Sequence, residues 1–293
     1  MTRHFLEVDD LTAGELDAVL TLARKMKVEP STFSNALGGK AVALIFEKPS
    51  TRTRVSCEVG IRQLGGNAIV LRPGEMQVDR GETLHDTAKV LSRYVDALAA
   101  RVRDHADLEE LAGYAEVPVV NLLTHQAHPC QALADLLTLE ENGARRVAYI
   151  GDGNNVAHSL LLGCALRGID ITLACPRGYE PDPAVVARAV GPVTVVNDPM
   201  AAVTGADAVY TDVWVSMGDE EEEALRRKAF DRYTVTPDLI PPGAIFLHDL
   251  PAHRGEEVVD DVIDGPQSRV WDQAENRLHA IKALMTFLLE RAG

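Results

Sequence analysis

Three things are scarce in this 293-residue chain: basic residues, cysteine and long apolar runs. Lys and Arg number 29 against 44 Asp and Glu, a formal charge of −15, and a surface this acidic repels nucleic acid and anionic membranes alike. Arginines gathered at one place in such a chain therefore point to a local anion. The four cysteines, Cys57, Cys130, Cys164 and Cys175, show no paired spacing. Three of them fall in apolar helix- or strand-like runs, so they read as reduced thiols of a cytoplasmic protein and not as a disulfide framework. No run approaches the ~20 apolar residues of a membrane span, and the start, Met1-Thr-Arg-His-Phe5, has no apolar signal core. Internal repeats are missing too. The one low-complexity tract, Glu220-Glu-Glu-Glu223, reads as a solvated loop or helix start without chemistry.

What is present is 46% apolar residues, enough for sizeable cores, over a length that suits two domains. Leu11 to Met26 has helical spacing. Short apolar runs then alternate with helical patterns. Strands are expected at Ala41–Phe46, Asn67–Leu71, Asp96–Arg101 and Val117–Leu123. Helices are expected at Thr53–Leu64, Thr83–Tyr94, Leu108–Tyr114 and from Ala132 to Leu139. The polar break Glu140-Glu-Asn-Gly-Ala144 marks a domain boundary, after which the rhythm restarts. Its strands are Arg146–Ile150, Ile169–Ala174, Val193–Val196, Ala208–Thr211 and Ala244–His248, and a long helix over Ala274–Arg291 closes the chain. Such β–α alternation predicts an α/β fold of two doubly wound parallel-sheet domains.

Chemistry gathers first at Phe46-Glu-Lys-Pro-Ser-Thr-Arg-Thr-Arg54, where a buried-type strand turns into a helix. Ser50 and Thr51 are N-cap candidates. A helix N-terminus with Arg52 and Arg54 in the same turn suits a phosphate, because free N–H groups, the dipole and guanidinium forks all favour an anion. A capped helix with two solvated arginines is the plainer alternative. The second gathering is His128-Pro-Cys-Gln131, again between a strand and a helix. A third, Gly151-Asp-Gly-Asn-Asn155, is a weak dinucleotide signal, since the full three-glycine pattern and its acidic partner are missing.

Ser50-Thr-Arg-Thr-Arg54 and His128-Pro-Cys-Gln131 together resemble the carbamoyltransferases. Asp212-Val-Trp-Val-Ser-Met-Gly218 and His248-Asp-Leu-Pro-Ala-His-Arg-Gly255 are similar to the ornithine branch of that family. The resemblance runs from about His4 to the C-terminal helix. It implies transfer of a carbamoyl group from carbamoyl phosphate to the δ-amine of ornithine, with no metal or organic cofactor. It also implies a carbamoyl-phosphate domain at 1–140 plus 274–293, completed by the returning C-terminal helix, and an ornithine domain at 141–273.

The resemblance assigns residues as well. Ser50, Thr51, Arg52, Thr53, Arg54 and Arg101 would bind the phosphate, and Thr53, Arg101 and His128 would face the carbonyl oxygen. Gln131, the Leu250 backbone and Arg277 would orient the carbamoyl nitrogen. Asn155 and the Met217 backbone would hold the ornithine carboxylate, with Asp212 and Ser216 on its α-amino group. Gln77 would reach a neighbouring subunit's phosphate site, which implies a homotrimer with active sites between subunits.

Each position also has a plainer reading. Arg101 could be a surface charge, His128 a loop histidine, Arg277 an ordinary helix residue, Gln77 an exposed loop residue and Asp212 a turn cap.

Three departures from the family pattern stand out. Asp249 occupies a place where the family usually has cysteine, close to the reacting amine, and a carboxylate there favours the protonated amine unless it takes the proton itself. Gln77 sits in Met76-Gln-Val-Asp79, where the family usually has glycine two residues after the glutamine. Cys57 stands where phenylalanine is common. Other acceptors such as putrescine or a modified ornithine, or a non-catalytic carbamoyl-phosphate-binding paralogue, are the alternative readings.

Overall fold

The computed structural model describes residues 2–215 and 223–291. The chain divides into two compact units, 1–134 with 276–293, and 135–275. Both divisions fall inside helices, and the polar break at 140–144 lies where the first of those helices ends.

The first unit carries α1 (Ala13–Val28), β1 (Ala41–Phe46), α2 (Thr51–Gln63), β2 (Asn67–Leu71), α3 (Leu84–Leu91), β3 (Ala97–Arg101), α4 (His105–Tyr114), β4 (Val119–Leu123) and the start of α5 (Pro129–Glu141). Its sheet is parallel, in the order β2-β1-β3-β4. The interior strands β1 and β3 are almost wholly buried, as is β4, whose outer edge is covered by Phe5 (Phe5 N donates to Val119 O and Asn121 N to Phe5 O, both at 2.8 Å), whereas β2 at the open edge is half exposed. That contrast is why the interior strands read as unbroken apolar runs. Ala43, Ile45, Leu98, Ala100, Leu108, Leu111 and Val119 form one core, and each buried Leu, Ile or Val stabilises the fold by about 1.5–3 kcal/mol.

The second unit carries β5 (Arg146–Ile150), α6 (Asn155–Arg167), β6 (Asp170–Ala174), α7 (Pro183–Arg188), β7 (Val193–Val196), α8 (Pro199–Val203), β8 (Ala208–Thr211), α9 (Glu223–Ala229), β9 (Ile245–His248) and α10 (Asp260–Ile263). Its parallel sheet runs β7-β6-β5-β8-β9. Helix α6 is buried from Val156 to Ala165, and a second core gathers Ile150, Val209, Trp214, Phe230, Phe246 and Val262. The last helix, α11 (Val270–Arg291), ends in the first unit. There Lys282 Nζ donates to Gln63 Oε1 at 3.1 Å, and Asn276 Oδ1 accepts from Lys27 Nζ at 2.8 Å.

Both sheets reverse their winding once. In the first, β1 leads outward to β2 and the chain then crosses to β3. In the second, β5 leads out through β6 to β7 and then crosses to β8. Right-handed crossovers on either side of such a reversal put helices on opposite faces and open a crevice at the strands' C-terminal ends. The motifs singled out above follow these strands: Ser50–Arg54 after β1, Arg101 at the end of β3, Asn155 after β5 and Asp212 after β8.

Several boundaries differ from the sequence expectation: α3 ends at Leu91 and not at Tyr94, and α4 begins at His105 and not at Leu108. Helix α5 begins at Pro129 and not at Ala132, because proline's fixed φ and missing N–H suit a first helical position, and His128 O accepts from Gln131 N at 3.0 Å and Ala132 N at 3.2 Å. Helix α11 begins at Val270, four residues before Ala274, with Gln273 N donating to Arg269 O at 2.8 Å. Its Val-Trp start has no strong helix propensity to announce it. Of the acidic tract, Glu220–Glu222 lie outside the described residues and Glu223 opens α9. No helix among the described residues is long and apolar enough to cross a membrane.

The glycine-rich turn after β5 has a packing reason. A Cβ on Gly153 would overlap the backbone of Glu180 and Pro181, and Gly153 N already donates to Tyr179 O at 2.8 Å. Gly153→Ala is therefore expected to cost about 2–3 kcal/mol of stability, read as a lowered urea midpoint; an unshifted midpoint would show that the 179–181 loop yields freely.

Candidate active site

At the reversal of the first sheet, the end of β3 brings Arg101 beside the N-terminus of α2. Arg101 pairs in register with Phe46, and its carbonyl accepts from Glu47 N at 3.0 Å. The register against β4 slips at this point, from Ala100 opposite Asn121 to Arg101 opposite Leu123. A bulge of this kind re-aims the side chain next to it. Arg101 is 8% exposed, and its Nη1 lies 3.4 Å from Thr53 Oγ1.

Thr53, fully buried in the first turn of α2, joins the cluster together. Its Oγ1 accepts from Arg277 Nη2 at 2.8 Å and shares a 3.0 Å hydroxyl hydrogen bond with Ser50 Oγ. Ser50 is the N-cap residue of α2 by position, though its hydroxyl makes no cap bond and turns to Thr53 instead. Thr51 opens the helix and is exposed.

Arg277, on α11, spans the cluster. Nη1 donates to Gln131 Oε1 at 3.0 Å, and Nη2 also lies 3.1 Å from His128 Nε2. Its planar fork presents N–H donors on both Nη atoms to these three partners at once. With Nε2 accepting from a guanidinium, the His128 ring carries its proton on Nδ1. Burial, followed by the Arg277, Arg101 and Arg52 charges, pushes its pKa well below the usual histidine range, so the ring is neutral at neutral pH. Arg52 is exposed, and Arg54 is held by Glu58 one turn on, Nε to Oε1 at 2.5 Å. Gln77 takes no part in these hydrogen bonds. It is exposed, at the start of the 3-10 turn Gln77–Arg80.

The reversal of the second sheet gathers the opposite charge. Asp212 follows β8 and is 5% exposed. Thr211 pairs in register with His248, which sets Asp249, the next residue after β9, alongside Asp212. Burial and then the Asp249 charge raise the Asp212 pKa from 3.8 to about 6. Asn155 is the first residue of α6 and half-buried. Leu250 adopts φ +65°, unusual for a branched residue, ahead of a cis bond to Pro251. Its N–H donates to His248 Nδ1 at 2.8 Å. That ring in turn donates from Nε2 to the fully buried Glu257 Oε1 at 3.0 Å, which also accepts from His253 N at 2.6 Å. Ser216 and Met217 lie outside the described residues.

Sequence reasoning passed over three groups here. One is Asn154, whose Nδ2 donates to Asp212 Oδ2 at 2.9 Å. Its place between a Gly-x-Gly turn and an apolar run was the available cap signal. The second is the His248–Glu257 pair, for which a lone histidine and glutamate nine residues apart offer no cue. The third is Arg226, which donates to Asp152 Oδ2 at 2.6 Å and Trp214 O at 3.0 Å. Cys57 packs in the core of the first unit, and burial pushes its thiol up to about 12, so it is inert at neutral pH. Among the described residues no group of three or more His, Cys, Asp or Glu could hold a metal ion.

Residues 3–141 match the carbamoyl-P binding domain of aspartate/ornithine carbamoyltransferases, and residues 144–288 match the Asp/Orn binding domain. An ornithine carbamoyltransferase of Acidothermus cellulolyticus is 54% identical, over 100% of this chain and 98% of that protein. The solved ornithine carbamoyltransferase of Pyrococcus furiosus superposes with a TM-score of 0.93 at 50% identity, over 98% of this chain and 97% of that one. That of Thermus thermophilus gives 0.90 at 44%, over 99% of each.

The raised Asp212 pKa is a stability cost. The folded state holds this proton more tightly than the unfolded chain, so the cost is complete above about pH 6 and vanishes below the ordinary carboxyl pKa. Asp212→Asn is expected to stabilise the chain by on the order of 3 kcal/mol at pH 7–8. The gain should fade toward pH 4, as denaturant unfolding at the two pH values will read.

Proposed function

We propose that this chain, which belongs to the aspartate/ornithine carbamoyltransferase family, transfers the carbamoyl group of carbamoyl phosphate to the δ-amine of L-ornithine, yielding L-citrulline and phosphate. The observation that carries the reading is the buried fan of Arg277 on Thr53, His128 and Gln131, with Arg101 beside it, at the winding reversal of the first sheet.

The chemistry follows from the charges. Carbamoyl phosphate brings a dianion, which suits the N-terminus of α2 together with Ser50, Thr51, Arg52, Thr53, Arg54 and Arg101. The amine lone pair attacks the carbamoyl carbon, and the C=O electrons move onto oxygen. By resemblance, Thr53, Arg101 and His128 face that oxyanion as donors. Gln131 and Arg277, and the Leu250 backbone by resemblance, orient the NH2 group. The tetrahedral centre then collapses and the C–O bond to phosphate breaks; phosphate leaves with the electron pair and takes the second proton, which the attacking nitrogen sheds. In the second unit Asn155 and the Met217 backbone receive the amino-acid carboxylate. Asp212 and Ser216 receive the α-ammonium. Asp249 takes the proton that the δ-ammonium must lose before it can attack.

The family resemblance also supports a cytoplasmic homotrimer in which Gln77 reaches a neighbour's phosphate site. Citrulline formation assayed across ornithine, putrescine, aspartate and acetylornithine tests the acceptor, and calorimetry with carbamoyl phosphate tests the first site. Absence of both binding heat and citrulline would sink the proposal. Arg277→Lys keeps the charge but loses the fork, and should lower kcat/KM for carbamoyl phosphate about 10²-fold. Asp249→Cys removes the charge that raises Asp212, so the acidic limb of kcat/KM for ornithine should move to lower pH. An unmoved limb would mark Asp249 as a bystander.

A further inference from the structure

We infer that Asn154 is a positioning residue for the acceptor amino acid, clamping the helix that carries Asn155 to the carboxylate of Asp212. The inference rests on the proposed ornithine site and deepens it.

Both ends of the Asn154 amide are committed. Oδ1 accepts from Val156 N at 3.0 Å and Ala157 N at 3.1 Å, capping α6. Tyr149 Oη lies 3.4 Å from the same oxygen. Two backbone donors can only face an oxygen, so the amide orientation is fixed, and Nδ2 must point the other way. There it meets Asp212 Oδ2 at 2.9 Å. One rigid side chain thereby ties the C-terminal end of β5 to that of β8, the two strands flanking the winding reversal. The cap sets where Asn155 begins the helix, and the amide N–H sets which way the Asp212 carboxylate faces. A serine or aspartate could cap α6 equally well, but neither offers an N–H to a carboxylate. The cap alone therefore does not explain the choice of asparagine.

The groups acting on Asp212 come from each neighbouring element. Asp249 and His248 stand at the end of β9, Asn154 at the start of α6, and the Val213 N–H beside Asp212 itself. Tyr149 on β5 and Tyr210 on β8 lie within its field. Of these, Asp249 raises its pKa, while the Asn154 hydrogen bond favours the ionised form.

The test uses the full chain with Asn154→Ser and Asn154→Asp, both of which keep the cap. KM for ornithine should rise about 10-fold in Asn154→Ser and further in Asn154→Asp, because a bond to a charged group is lost in both and a third carboxylate is added in the second. KM for carbamoyl phosphate should stay near the wild-type value. The acidic limb should move to higher pH, opposite to the direction expected for Asp249→Cys. Carbon-13 NMR of the Asp212 carboxyl, assigned by its loss in Asp212→Asn, should show the same upward shift without substrate. Unchanged titration of Asp212 in both variants, or equal rises in both KM values, would overturn the role of Asn154. Wild-type protein that forms no citrulline would refute the ornithine reading itself, and the carboxyl titration would still decide whether Asn154 governs Asp212.

Discussion

A parallel sheet that reverses its winding direction must leave a gap between the crossovers on its two sides, at the C-terminal ends of two adjacent strands. Much of the chemistry in this chain is hung on that constraint, met twice. In the first unit the gap between β1 and β3 receives Ser50–Arg54 and Arg101. In the second, the gap between β5 and β8 receives Asn154, Asn155 and Asp212. Backbone N–H groups at the following helix N-termini point the same way, so each crevice starts with a bias toward anions. The side chains then keep that bias in one unit and oppose it in the other.

In the first unit they keep it. Arg101 and Arg277 are both nearly buried, and His128 stays neutral because burial and then the Arg277, Arg101 and Arg52 charges disfavour its protonation. A neutral histidine costs nothing beside those cations, whereas an imidazolium would. The resulting cradle suits a doubly charged phosphate in a chain whose overall charge is −15. In the second unit Asp212 and Asp249, alongside one another in register, overturn the helix bias and make a place for ammonium. Two carboxylates this close hold a proton more firmly than either alone. That is a stability cost the fold carries at a candidate binding position, as active sites commonly do.

Much of this was open to reading in one dimension. The β–α rhythm yielded the strands to within a residue or two, because interior parallel strands are buried on both faces and show as unbroken apolar runs. Motif order named the family, and Ser50–Arg54, Arg101, His128 and Asp212 each fell beside a strand end. Helix α11 hid its first turn in Val270-Trp271, and Asn154 looked like one more polar residue of a turn. Its second hydrogen bond, to a residue 58 positions away, leaves no trace in local pattern. The His248–Glu257 link behind Leu250 was equally hidden, since a side chain's partner depends on how the loop between them folds back.

The amino-acid sequence by itself determined the fold class, the strand register of hydrophobicity and the chemical alphabet of the two crevices. Those are local properties: apolar period, helix caps, and which charges stand next to which strand ends. Tertiary structure alone decided that Arg277, from the far end of the chain, reaches Thr53, His128 and Gln131, that the histidine proton lies on Nδ1, and that Asp212 titrates near 6. Direction, burial and the field of distant charges set these outcomes, and none of the three exists until the chain has closed on itself.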